Sequence, residues 1–339
     1  MSSKSKSCEW TTQGEAFAAF AGFNEKTQSA GHIKPVHWYV ACRLVVEGGF
    51  HPDHIKPHPP FRLRSRKRYG LPFLEFDPAA ASGGEAVVLG GLKTKSVDVV
   101  VTRPGIGPVL AVSCKGTTGA FRNLTNRMEE LIGDCTNLHI SYPALVLGYL
   151  HLLRANRTIG EVVDLIEANE ATAGEDDNAE EEEVTEADDS VVVINEDVGN
   201  AKKKALTKND MAFDDVGAVS AEIQRFGLAV SRLAGRAGIR DDLTRYESIA
   251  LALVEAEELN MGCVVSGYPD SGSNLGIEGF FKRLYTQYDE RFVYGAPSLA
   301  SVTRRLEWSP ESVAFDSIHP DYQSRLGTPR LLKPRAPKS

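Results

Sequence analysis

Between Asp98 and Glu129 the chain carries an aspartate, a serine, a lysine and a glutamate in an order that metal-assisted phosphodiester chemistry can use. Asp98 interrupts an apolar run, Ser113 and Lys115 stand two residues apart, and 13 residues separate Lys115 from Glu129. Carboxylates hold hard divalent cations through oxygen, and a lysine can offset the charge that grows on a phosphate during displacement. An ionised Asp or Lys in an otherwise apolar sheet is costly unless it is paired or holds a metal. Each residue also has a bland reading. Glu129 can reach back to the start of its helix in a capping pair with Asn126, Lys115 can snorkel from a strand end, and Asp98 can cap a turn. Convergence of all three through one hairpin argues against three separate bland roles.

The elements that must position them are legible as periodicity. Val97–Thr102 is β-branched and reads as a strand, Arg103–Pro108 (RPGIGP) is dense in turn residues, and Val109–Lys115 returns as the second strand. Alternation puts Val109, Ala111, Ser113 and Lys115 on one face, and an antiparallel partner brings Asp98 beside Ser113 and Lys115. After Gly116 and Gly119 a helix is predicted over about 124–136, with Leu124, Met128, Leu131 and Cys135 as its core stripe. Glu129 and Glu130 flank that stripe on opposite sides, so only one of them can lean over Lys115.

The order Asp98, Ser113-Cys114-Lys115, Glu129 resembles the PD-(D/E)XK restriction-endonuclease-like superfamily. It is most similar to the variant with serine in the (D/E)XK position and a glutamate migrated to the next helix, S-x-K-x13-E. Val97 departs from the proline that precedes the aspartate, and the gap from Asp98 to Ser113 is short. The resemblance implies an α/β fold, a restriction-endonuclease-like mixed β-sheet flanked by helices. It implies hydrolysis of DNA with Mg²⁺, or Mn²⁺ as a substitute, held by Asp98 and Glu129, with Lys115 at the phosphate and Ser113 as a hydrogen-bonding helper. It also implies a bacterial restriction or phage-defence setting, with a homodimer or higher oligomer and a defence-system partner protein as companions. A catalytically inactive, DNA-binding or scaffold subunit of the same fold is the alternative. A glutamate on the first core helix often joins the metal site of this superfamily. Glu47, at the end of the helix predicted over Pro35–Gly48, resembles that residue, whereas an ion pair with Arg43 four residues earlier is its ordinary explanation.

Composition sets the frame. The chain has 339 residues, is 42% hydrophobic and 25% charged, and carries a net charge of −8. Glu167–Asp197 holds 14 acidic residues and no Lys or Arg, and leaving it out moves the balance to +6. That stretch reads as an acidic disordered insertion over 166–204. Arg62, Arg64, Arg66, Lys67 and Arg68 fall within seven residues and read as a basic loop able to contact DNA phosphates without reading sequence. The expected organisation is a flexible arm at 1–30, a nuclease core at 31–165, the insertion, a remainder or accessory α/β portion at 205–325, and a basic tail at 326–339. Five cysteines without a close pair indicate reduced thiols, and no run approaches 18 apolar residues, so a cytoplasmic protein without membrane insertion is expected. His51, Asp53, His54 and His58 lie close together, but intervening prolines favour a loop over a metal site.

Overall fold

The computed structural model describes residues 12–23, 31–65, 70–157, 206–317 and 322–328. In chain order its main elements are α1 (Gln13–Ala21), α2 (Lys34–Val46), β1 (Ile55–Lys56), β2 (Phe61–Ser65), β3 (Pro72–Phe76), β4 (Ala86–Leu89), β5 (Thr94–Val97), β6 (Val99–Arg103) and β7 (Gly107–Thr117). There follow α3 (Leu124–Ser141), β8 (Val146–Ala155), α4 (Ala221–Ser231), β9 (Ser248–Glu255) and α5 (Ile277–Tyr288). Five strands form a mixed sheet in the order β1-β6-β7-β8-β9. The first two pairings are antiparallel and the last two parallel. This is the expected α/β class: a mixed sheet flanked by helices.

Strand chemistry follows from layer position. β8 and β9 are buried along almost their whole length because both sheet faces are covered. On one face α1, α2 and α5 pack through Phe17, Val40, Leu44, Phe280 and Leu284. On the other, α3 and α4 pack through Leu131, Cys135, Leu138, Ile223 and Phe226. β7 divides its residues accordingly, Val112 and Cys114 to the first core and Ala111 to the second. Gly116 is required where β7 passes α1, since a Cβ there would stand 2.6 Å from the Phe20 ring and 2.9 Å from His32.

Several expectations change. Residues 13–21 are a helix whose Ala16, Phe17, Phe20 and Ala21 are fully buried, not part of a loose arm. Phe61–Ser65 is a strand paired with β3, where a basic loop was expected, because Phe61 is drawn into the core. α4 is confined to Ala221–Ser231, with a positive-φ Gly217 before it and another, Gly235, after it. β9 and α5 extend the sheet and one of its cores, so the 205–325 portion contributes to the same sheet as 31–165. The acidic insertion, Arg66, Lys67, Arg68 and most of the basic tail lie outside the described residues. Among the described residues no helix is long and apolar enough to cross a membrane.

A buried ionic knot locks β8, β9 and α5's continuation together. Glu247, 2% exposed, accepts from Arg236 at 2.8 Å and from the Leu147 N–H at 2.6 Å, and pairs with Arg291 at 2.7 Å. Burial works against this carboxylate, but His139, Arg291 and the Leu147 N–H outweigh it and hold its pKa below the ordinary 4.5. A depressed folded value means that its contribution is complete above the ordinary value and is lost as the pH falls through the folded one. Glu247→Ala strands two guanidinium groups and is expected to cost about 3–5 kcal/mol, measured as a shift in the urea midpoint at pH 7. The gap between variant and parent should narrow on acidification below pH 4.5; a gap that is constant with pH would contradict this account.

Candidate metal and phosphodiester site

Asp98 sits at a seam. β5 ends at Val97, in a two-stranded sheet with β4, and β6 begins at Val99 in the main sheet. The chain changes sheets at Asp98, and this leaves the carboxylate free of either ladder yet only 6% exposed. β6 and β7 pair Val99 with Val112, so the next residues out, Asp98 and Ser113, are neighbours. Ser113 Oγ donates to Asp98 Oδ2 at 3.1 Å and the Cys114 N–H donates to the same oxygen at 2.7 Å. Lys115 Nζ is 3.9 Å from that oxygen. The hairpin thus brings Asp98, Ser113 and Lys115 together as the alternation requires.

The acid that α3 places beside Lys115 is Glu130. Glu129 is exposed, whereas Glu130 Oε1 stands 3.9 Å from Lys115 Nζ. The rotation of α3 decides between them. Leu124, Leu131, Cys135 and Leu138 are buried, which turns Arg127, Glu130 and Asp134 together toward the sheet edge. There Asp134 pairs with Lys95 on β5 at 2.5 Å and Arg127 pairs with Glu130 at 2.8 Å. Partial burial disfavours the Glu130 charge, but Arg127, Lys115 and Lys95 outweigh it and hold the carboxyl below its ordinary value.

Glu47 is engaged elsewhere. It caps the C-terminus of α2, accepts two hydrogen bonds from Arg43 at 2.9 and 2.6 Å, and accepts the Gln323 N–H at 2.9 Å. The residue that α2 does send to Asp98 is His37, ten residues earlier and about 15 Å along the helix axis. Its Nε2 is 3.7 Å from Asp98 Oδ1, too long for a hydrogen bond, and has no hydrogen-bond partner among the described residues. The imidazole is 5% exposed, and burial, opposed by Asp98, leaves its pKa below 6.5, so it is neutral at neutral pH. Glu85 completes the group. It immediately precedes β4, and the Ala86–Val97 pairing brings it alongside Asp98. Ligand atoms of His37, Glu85 and Asp98 all lie within 4.8 Å of one another. A buried, unpartnered ring nitrogen facing two carboxylates is a donor set that fits a divalent cation. Imidazole shifts its preference from Mg²⁺, which favours oxygen alone, toward Mn²⁺ or a later transition metal.

Beside this group lies a cavity of about 380 Å³, lined by Asp98, Lys115, Thr117, Asn123 and Arg127 among others. Lys115 and Arg127 are its cations. Arg62 and Arg64 are not part of it; they lie on β2, paired with Asp77 and Glu75 at 2.6 Å each. The His51–His58 segment is a single 3-10 turn followed by β1, with His58 bonded to Asp53 at 3.1 Å and the His51 and His54 rings tilted at 31°. Cys114 is buried beside Asp98, and both effects raise its thiol pKa, which leaves it protonated and inert.

Searches against protein-family models, curated proteins and solved structures find no match to the chain. Fold and site therefore define its class by themselves: a mixed α/β protein with a histidine and two carboxylates at a sheet seam. Beside them stand a lysine and a third acid over an open cavity.

Two variants separate the roles of the α2 side chains. His37→Ala is expected to weaken Mn²⁺ binding by at least about tenfold, since even an indirect support residue costs about 10–100-fold. Glu47→Ala should leave Mn²⁺ binding unchanged while lowering stability by about 3 kcal/mol. Titration followed by Mn²⁺ electron paramagnetic resonance, together with thermal melts, checks both, and reversed outcomes would return Glu47 to the site.

Proposed function

We propose that this protein is a divalent-cation-dependent phosphodiesterase acting on DNA, an endonuclease that resembles the PD-(D/E)XK superfamily in its serine-containing variant. The observation that carries the reading is the meeting of Asp98, Lys115 and Glu130 across a hairpin and the following helix, with His37 facing the same aspartate. A cation bound by His37, Glu85 and Asp98 would orient and acidify the attacking water and stabilise charge on the leaving oxygen. The chain's own residues prepare that step. Ser113 and the Cys114 N–H fix the Asp98 carboxylate by two hydrogen bonds to one oxygen, leaving Oδ1 toward His37. Asp98 and Glu130 flank the Lys115 ammonium, which stands ready to neutralise the phosphate. Arg127 adds a second cation on the same wall, held in place by Glu130.

Arg62 and Arg64 serve this reading as peripheral DNA contacts. Their ion pairs are exposed, and such pairs contribute only about 0–1 kcal/mol, so a phosphate can replace the carboxylate partner at small cost. The donor set favours Mn²⁺ over Mg²⁺ as the more effective ion. A cytoplasmic restriction or phage-defence setting and assembly as a homodimer belong to the same proposal, since cutting both strands calls for two active centres.

The test is incubation with plasmid and with single-stranded DNA in Mg²⁺, Mn²⁺ or EDTA. Cleavage is expected with either ion, faster with Mn²⁺, and none with EDTA. Lys115→Ala should lower the rate by about 10²–10³-fold and leave DNA binding within a few fold. Salt-dependent binding without cleavage in any metal would instead identify a non-catalytic member of the fold, and equal cutting by the Lys115 variant would remove lysine from the chemistry.

A further inference from the structure

Behind the cavity wall, Tyr149, His151 and Thr117 form a chain of hydrogen bonds that the metal and lysine do not use. β7 and β8 pair Lys115 with His151 and Ser113 with Tyr149, so all four side chains project from the same sheet face. Tyr149 Oη is 3.1 Å from His151 Nδ1, and His151 Nε2 is 2.9 Å from Thr117 Oγ1. His151 is 1% exposed and Tyr149 3%, whereas Thr117 is only partly buried and lines the cavity. Burial, helped by Arg127 and Lys115, depresses the His151 pKa to about 3, so the ring is neutral and carries a single N–H.

Which nitrogen carries it is decided by Tyr149. The buried Tyr149 hydroxyl must donate, and among the described residues its one hydrogen-bond partner is His151 Nδ1. With the proton on Nδ1, the Tyr149 O–H would be left without an acceptor in the core, a cost of about 1–3 kcal/mol. Nδ1 therefore accepts from Tyr149, and Nε2–H donates to Thr117 Oγ1. The Thr117 hydroxyl proton cannot then point at His151. No other acceptor for it stands among the described residues, and the open side of Thr117 is the cavity.

We infer that Thr117 is an anion-binding residue: its hydroxyl, held as a donor by Tyr149 and His151, bonds a non-bridging phosphate oxygen of the phosphodiester bound at Lys115. Tyr149 and His151 are positioning residues. They act through the threonine, which sits about 7 Å along the strand from Lys115. The anion's identity as a phosphodiester rests on the function proposed above; the tautomer and the free donor do not.

Two measurements test it. Long-range ¹H–¹⁵N correlation spectra of ¹⁵N-histidine-labelled full-length protein, with His151 assigned by its loss in His151→Gln, should show the Nε2–H tautomer unchanged from pH 5 to 8. An Nδ1–H tautomer, or titration in that range, overturns the orientation argument. Fluorescence anisotropy with a labelled twelve-residue oligothymidylate in EDTA then reads the anion. Thr117→Val is expected to weaken binding by about tenfold, and Thr117→Ser to restore it to within about twofold, which assigns the effect to the hydroxyl and not to the threonine methyl. Wild-type protein that fails to bind the oligonucleotide sinks the phosphodiester reading and the threonine's role together. Wild-type protein that binds, beside a Thr117→Val variant that binds equally well, sinks the role of Thr117 alone.

Discussion

A single carboxylate, that of Asp98, sets the terms for everything around it. Removing an ionised carboxylate from water costs several kcal/mol even after relaxation. The fold meets that cost with one hydroxyl, one backbone N–H and a nearby ammonium, and sets a neutral imidazole opposite the remaining oxygen. Each of these groups comes from a different commitment of the architecture. The hydroxyl requires the register of β6 on β7, the N–H requires β7 to run on past the end of β6, and the imidazole requires α2 to cross the sheet at that point. A slip of one residue in the hairpin would turn Ser113 and Lys115 to the opposite face. The seam between the two sheets is therefore where the geometry of the core is transmitted to polar groups.

The oxygen that lacks a strong donor is the informative one. Asp98 Oδ2 is saturated, while Oδ1 faces a ring nitrogen at 3.7 Å that has no other partner. A neutral imidazole and a carboxylate at that separation are neither bonded nor solvated. That arrangement is costly as a resting state for a protein with nothing between them, and it is ordinary for two ligands of one cation. Glu47 shows the contrast. Its carboxylate is equally buried, but every oxygen has a donor, and its work is to tie the C-terminal segment to the end of α2 together with Trp308 and Arg305.

Much of this was legible in the chain. The β-branched run after Asp98, the RPGIGP turn and the two-residue spacing of Ser113 and Lys115 define the hairpin, and α3 begins at the residue where its apolar stripe begins. What escaped did so for physical reasons. α2 is buried on nearly all sides, so its sequence has no polar stripe against which His37 could stand out. Glu85 lies in a glycine-rich stretch, and only the pairing of β4 with β5 brings it to Asp98. Glu129 and Glu130 are indistinguishable by pattern; the side-by-side pairing of Arg127 with Glu130 and of Asp134 with Lys95 settles the helix rotation. α1 was hidden by its place near a polar terminus, although its capping box, Thr12 with Glu15, is a local signal.

One junction carries a consequence of a different kind. Asn156, at the end of β8, donates to the Thr118 and Asp210 carbonyls at 2.8 and 2.7 Å, and its own carbonyl accepts the Ala212 N–H at 2.9 Å. Asp210 in turn accepts the Ala120 N–H at 2.6 Å. The chain thus leaves the sheet after Asn156 and is clasped again by Asp210, beside Ala120 of the cavity lining. The end of β8 is thereby tied to the cavity lining by side-chain bonds to backbone groups, so strain at that junction reaches the cavity wall without passing through the sheet.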